Sequence, residues 1–228
     1  MNKTSDSLTQ LATKFTAGEI AYIRRLLDAM FETNNTHTRE VMAIKHTEAS
    51  QLARPSRRNR QSQVNGNAED GETSQAADAG ISIQEADDVL DTLVNDSFFQ
   101  KSRSGYYALA PRGLMELGAY LKETYNEPAE DAEDGVETIR IHDCEGCREI
   151  VTYGIRCNNR DCGVRWHDAC ASSYYRGRAR EQRKCPKCQT ECRGDIYVGD
   201  RADRVGARSS TGGNRRSALA QRDDEEDE

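Results

Sequence analysis

Long apolar runs are missing from this 228-residue chain. No stretch approaches the ~18 apolar residues that a membrane-spanning helix needs, so no membrane partner is expected. The opening residues, MNKTSDSLTQ, lack the apolar core of a secretory signal, and export is not expected either. Cysteine is absent from the first 143 residues, and all eight cysteines fall between Cys144 and Cys192. In a reducing compartment such a cluster serves metals or catalysis more often than disulfides. Apolar side chains are scarce overall: the chain is 36% hydrophobic and 31% charged, with a mean hydropathy of −0.88. One globular domain of this length would carry more, so small ordered units separated by solvated segments are expected. The formal net charge of −7 is a poor guide to partners because it is unevenly spread. Acidic residues crowd into Glu123 to Glu137 and Asp223 to Glu228, while Arg54 to Arg60 is basic.

Helical spacing begins near Thr16. Thr16-Ala17-Gly18-Glu19 reads as a capping box, with Ile20, Ile23, Leu27 and Met30 along the following face. Ser82-Ile83-Gln84-Glu85 repeats the plan ahead of Ala86, Val89, Leu93 and Val94. Phe98-Phe99 and Tyr106 to Leu109 flank a polar turn and predict a β-hairpin. Pro111 suits the first turn of a helix running to about Tyr125, with Leu114, Leu117 and Leu121 on one side. Helix, hairpin, helix is the back half of a winged-helix unit. The repeat predicts two such units, a partial first one over residues 1–53 and a second over 81–126. Between them residues 54–80 nearly lack large apolar side chains and read as a disordered linker. Residues 127–138 read as a second, acidic linker, and 199–228 as a disordered low-complexity tail.

Residues 139–198 hold the chemistry. The run is Cys144-x2-Cys147-x9-Cys157-x4-Cys162-x4-His167-x2-Cys170-x14-Cys185-x2-Cys188. Close pairs on tight turns let two ligands reach one tetrahedral ion, and four pairs complete two structural zinc sites with no open position. Seven thiolates and one imidazole suit zinc better than magnesium or calcium. Scattered free cysteines fit this spacing poorly, a disulfide framework is not expected without an export signal, and a catalytic zinc is not expected where both ions would be fully ligated. Cys192 is a rival to Cys188, but the Cys185-Pro186-Lys187-Cys188 turn favours Cys188. His142, outside the pairs, is expected at the surface. Trp166 is expected to be a packing residue, with a partner contact as its alternative role. Zinc binding at roughly 10–16 kcal/mol per site then replaces a hydrophobic core that a unit this small lacks. From Arg140 to Arg193 there are twelve Lys/Arg and seven Asp/Glu. Seven thiolates and two divalent ions reduce that excess to about plus two, so direct DNA binding is not required of this segment. Lys101 and Arg103 in the hairpin are likewise expected to lie on a solvated turn.

A single histidine in fifth place is the C4HC3 pattern of PHD fingers and variant RING domains. PHD fingers commonly carry an aromatic residue two positions before the seventh ligand, where this chain has Arg183. RING domains often carry proline directly after it, as Pro186 does here. With GEIAYIRRLLDAMF, GYYALAPRGLMELGAYL, CGVRWHDAC and CPKC, the chain resembles the non-structural maintenance of chromosomes element one homologues. The resemblance implies an α+β protein of winged-helix units followed by a small cross-braced RING-like domain. It places Cys144, Cys147, His167 and Cys170 on one zinc and Cys157, Cys162, Cys185 and Cys188 on the other. It further implies a nuclear subunit of the chromosome-maintenance complex built on the fifth and sixth SMC ATPases, acting in DNA repair and recombination. Implied partners are a MAGE-type subunit, a kleisin subunit, DNA reached through the complex, and a ubiquitin-conjugating enzyme contacted near Pro186 and Trp166. Family members are regarded as RING-type ubiquitin ligases. Glu145-Gly146 and Gln189 replace residues that active RINGs use against the conjugating enzyme and ubiquitin, which implies weak or partner-dependent activity. A non-catalytic structural adaptor and a PHD-like chromatin reader are the competing expectations.

Overall fold

Thr16 opens the first helix with the reciprocal bonds its spacing predicts. Its hydroxyl accepts from the Glu19 amide at 3.3 Å, and its own amide donates to the Glu19 carboxylate at 2.7 Å. In this computed structural model, which describes residues 13–54, 80–128 and 137–203, helix α1 spans Ala17–Asp28. It buries Tyr22, Ile23, Leu26 and Leu27, and a wider turn over Ala29–Thr33 adds Met30 and Phe31. Strand β1 (Ile44–Lys45) leads into α2 (His46–Gln51). The Tyr22 hydroxyl and the Arg25 guanidinium then tie α1 to α2 by donating to the carbonyls of Ala49, Leu52 and Ala53.

The second capping box, Ser82 with Glu85, starts α3 (Ile83–Asn95). The predicted hairpin follows as β2 (Phe99–Lys101) and β3 (Tyr106–Leu109). Pro111 occupies the first turn of α4 (Pro111–Tyr125), which buries Leu117, Leu121 and Tyr125.

Here the structure departs from the expected pair of units over 1–53 and 81–126. The sheet order is β1-β3-β2, with Ile44 opposite Tyr107 and Phe99 opposite Leu109. Strand β1, from the first segment, is thus an edge of the sheet whose other strands come from the second. The apolar faces of α1 and α3 are buried in one common core with Leu109 and Leu117. A two-residue strand has no sheet of its own, and two half-units each lack the surface to bury their helices alone. Pairing them satisfies both.

The zinc-ligand segment adds β4 (Gly154–Arg156), β5 (Arg165–Trp166), α5 (Asp168–Tyr174), a 3₁₀ turn (Arg180–Gln182) and β6 (Tyr197–Val198). These strands form a second antiparallel sheet in the order β5-β4-β6. Its core of Val151, Val164, Trp166, Tyr175 and Val198 is continuous with that of the helical part. Asn35 donates to the Arg140 carbonyl at 2.8 Å and Lys122 pairs with Asp143 at 2.7 Å across the junction.

The expected linkers and tail are only partly described. The Ile81 amide donates to the Ala53 carbonyl at 2.8 Å, so the two ends of the intervening stretch lie together, and residues 55–79 fall outside the described residues. Glu127 and Thr138 exchange a pair of backbone hydrogen bonds at 2.9 and 2.8 Å, flanking 129–136, which also fall outside. The stretch expected as a tail over 199–228 is ordered where it is described, since Asp200 to Asp203 form a helical turn against the first sheet; 204–228 lie outside the described residues. There Asp203 accepts from the Tyr106 hydroxyl at 2.6 Å and from Lys45 at 2.9 Å. No helix among the described residues is long and apolar enough to cross a membrane.

Candidate metal centre

Two tight loops begin the site, and both turn in the same way. The Gly146 amide donates to Cys144 Sγ at 3.4 Å, and the Asn159 amide to Cys157 Sγ at 3.4 Å. Arg148 and Gln189, each directly after the second cysteine of a C-x2-C loop, adopt left-handed backbone conformations with φ of 66° and 59°. These turns aim two sulfurs of each loop toward one point. Strand β4 delivers Cys157 at its end, and β5 delivers His167. Helix α5 carries Cys170 in its first turn.

The ligand atoms gather into two groups of four. Cys144, Cys147, His167 and Cys170 form one, and Cys157, Cys162, Cys185 and Cys188 the other, with ligand atoms in each within 4.8 Å of one another. First and third pairs share one group, second and fourth the other, which is the cross-braced arrangement. Within the second group Cys162 and Cys185 sulfurs stand 3.7 Å apart and Cys157 and Cys188 sulfurs 3.5 Å. Tetrahedral zinc with sulfur at about 2.3 Å imposes separations of about 3.8 Å, so the donors fit the ion. His167 Nδ1 lies 3.3 Å from Cys147 Sγ while Nε2 lies 3.1 Å from the Ile150 carbonyl. A carbonyl only accepts, so Nε2 carries the proton and Nδ1 offers its lone pair to the metal. This is the outer-shell bond that fixes a ligating imidazole.

The thiols differ in their readiness to ionise. Burial pushes the Cys144 thiol up, but amides of Cys147, His167 and Gly146 outweigh it and bring it to about 6. The Thr190 hydroxyl and amide lower Cys188 to about 6. Burial instead raises Cys157 far above the usual thiol range. Burial, with the neighbouring Cys144 and Cys147, also raises Cys170 to about 11, so each group pairs a readily ionised thiol with a reluctant one that a bound ion would have to deprotonate. Two structural zinc ions fit these clusters, with all four positions of each ion filled by protein.

Cys192 is buried but stands outside both groups, as the spacing predicts. His142 is not the surface residue expected: it is half-buried, and burial with the neighbouring Arg165 lowers its imidazole to about 4. Trp166 is the packing residue expected, and its burial counts against the alternative role as a partner contact. Trp166 is 3% exposed and its ring lies beneath that of Tyr174 at a centroid distance of 4.6 Å, so of the two it is Tyr174, at 38%, that faces solvent. Pro186 is half-buried and lines a shallow groove of about 400 Å³ with Tyr174, Arg178, Gln182 and Gln189. Sequence reasoning missed Glu40, Arg156 and Arg165, whose buried carboxylate and guanidiniums meet beside the clusters. A charged residue heading the apolar run Glu40 to Ile44 was the available signal.

A mixed helix-and-sheet unit joined to two interleaved four-ligand clusters defines a zinc protein of the RING-like class. The chain belongs to the family described as the Nse1 non-SMC component of the SMC5-6 complex, whose pattern residues 1–117 match, while residues 144–188 match the RING-like domain. It is 20% identical over 188 residues to the non-structural maintenance of chromosomes element 1 homolog of Xenopus laevis, an alignment covering 82% of this chain and 54% of that protein. The Xenopus tropicalis homolog is 31% identical over 106 residues, 46% of this chain and 33% of that protein. Among solved structures, a chain of an Nse1-Nse3-Nse4 complex superposes with a TM-score of 0.52 at 19% identity, over 83% of this chain and 63% of that one. The matched region thus spans about half the length of the first of these curated relatives and a third of the second.

Proposed function

We propose that this chain is a RING-type E3 ubiquitin ligase subunit of the SMC5-6 complex, acting in the nucleus in DNA repair and recombination. The carrying observation is the pair of four-ligand clusters, whose complete ligand sets would leave no metal position for a substrate and so favour a role for the zinc loops in docking. Such a subunit does no covalent chemistry. It holds a charged conjugating enzyme so that a substrate lysine meets the thioester, a gain of orientation and not of bond making. Pro186, Tyr174 and Gln189 line the groove beside Cys185 that would receive that enzyme. The helix, strand, helix, helix, strand, strand order of the first part supports reading it as one winged-helix unit. We assign it the MAGE-type partner, with the kleisin and DNA engaged through the assembly. The solved relative's Nse1-Nse3-Nse4 title supports this assignment.

A structural adaptor is the second reading, and one contact favours it. Lys187 pairs with Glu145 at 3.4 Å, joining the two zinc loops by a polar bridge where an active RING presents apolar side chains. Ubiquitin-chain formation with a panel of conjugating enzymes, with and without the MAGE-type partner, separates the readings. Zinc-dependent transfer supports the ligase. No transfer with any enzyme, together with loss of complex assembly in Cys185→Ser, establishes the adaptor.

A further inference from the structure

Glu40 lies in the loop before β1, far from the zinc-ligand segment in sequence, yet its carboxylate ends inside that segment. Oε1 accepts from Arg156 Nη1 at 2.6 Å and from Arg165 Nη2 at 2.5 Å, and Oε2 accepts from Arg165 Nε at 2.7 Å. The donors are 116 and 125 residues further along the chain. All three side chains are nearly sealed from solvent, with exposures of 6% for Glu40, 2% for Arg156 and 3% for Arg165. The Glu40 backbone is also held, since its carbonyl accepts from the Gly199 amide at 2.8 Å.

The two arginines sit opposite each other in the β4–β5 ladder. Like charges directly across a strand pair repel, and burial removes the water that would screen them. One carboxylate shared between them removes the conflict, and without it the pairing of β4 with β5 is opposed. That pairing matters to the metal. Arg156 precedes Cys157 of one cluster, and Arg165 stands two residues before His167 of the other. Arg165 Nη1 also donates to the carbonyl of Cys162 at 2.6 Å, a third ligand residue.

We propose that Glu40 is a positioning residue for both zinc sites: from outside the ligand-bearing segment, it fixes the strands that present Cys157 and His167. The zinc module is then completed by the helical part of the same chain and is not a self-sufficient bead. This inference needs the two zinc sites but not ligase activity, so failure of the ubiquitin assay leaves it standing.

The test follows zinc release from the zinc-loaded full-length protein into excess chromophoric chelator. Glu40→Ala is expected to release both equivalents roughly tenfold or more faster, the scale on which losing an outer-shell partner weakens metal binding. Amides of Ile155 and Trp166 should exchange hydrogen faster in parallel. Asp203→Asn, which removes a different contact near the junction, is expected to release zinc within about twofold of the parent rate. A parental rate in Glu40→Ala, or an equal acceleration in Asp203→Asn, overturns the proposal. Should Glu40→Ala not fold, Glu40→Gln keeps the shape and removes the charge. It is expected to accelerate release about threefold or more, and a parental rate in that variant also overturns the proposal. Pairing Glu40→Ala with Arg165→Met removes one of the facing cations and should slow release relative to Glu40→Ala alone.

Discussion

Cys185 is wholly buried and shares its cluster with Cys157, Cys162 and Cys188. Cys185→Ser should lose one zinc equivalent outright and loosen the second, because β4 and β5 serve both clusters. With each site contributing roughly 10–16 kcal/mol, metal content by mass spectrometry is the direct check. Asp203 gives a pH signature. The Tyr106 hydroxyl and the Lys45 ammonium hold its carboxyl below the usual aspartate range. A depressed folded value stabilises the fold above the unfolded value near ~3.9 and stops doing so as pH falls through the folded one. Asp203→Asn should therefore be less stable than the parent by a constant margin above about pH 5. The margin should close below about pH 4, read as the difference in urea midpoints. At this scale the ligands were legible because their geometry is local: spacing alone puts two donors on a turn. Glu40 was not, since its meaning depends on two arginines more than a hundred residues away and nothing near it in sequence names them. Trp166 is the packing residue that its place beside His167 led us to expect, but the ring that covers it was not legible. Its neighbour Tyr174 covers it only once α5 has formed.

Among the elements, the helices were easier to read than the strands. Both capping boxes lie within four residues of sequence, and the helices start where those residues place them. Strand β1 is two residues long and carries no alternation, so its pairing with β3 is set only by tertiary packing. The repeated helix and hairpin plan therefore suggested two units where the structure has one sheet. Gly113 in α4 opposes propensity to packing. Alanine is favoured over glycine by about 1 kcal/mol within a helix, but a Cβ here would stand 2.4 Å from the Phe98 carbonyl oxygen. Packing wins because that oxygen is backbone, already bound by the Ala110 amide at 2.8 Å. Gly113→Ala should lower Tm by roughly 3–8 °C, whereas Gly18→Ala in α1, whose Cβ would meet only Ile81 at 3.4 Å, should hold or raise it.

For the molecule as a whole, one apolar core runs from Phe15 to Val198, yet its two ends rest on different physics. The helical part is closed by side chains, the other by metal. Chelation should therefore strip order from residues 141–198 and slacken the Asn35 to Val41 loop that leans on them, while α1, α3 and α4 keep their helicity. Hydrogen exchange before and after chelator, with far-UV circular dichroism, reads the two parts separately. Equal loss of protection in α3 and in β4 would instead show a single cooperative unit.

After β6 the chain does not continue outward from the clusters. It crosses back, and Asp203 sits beside Tyr106 and Lys45 on the other sheet. Anything spliced on at that point, whether a fluorophore, an affinity handle or a fusion protein, would emerge from the helical shoulder of the molecule. The face containing Pro186 and Tyr174 would remain clear for whatever binds it.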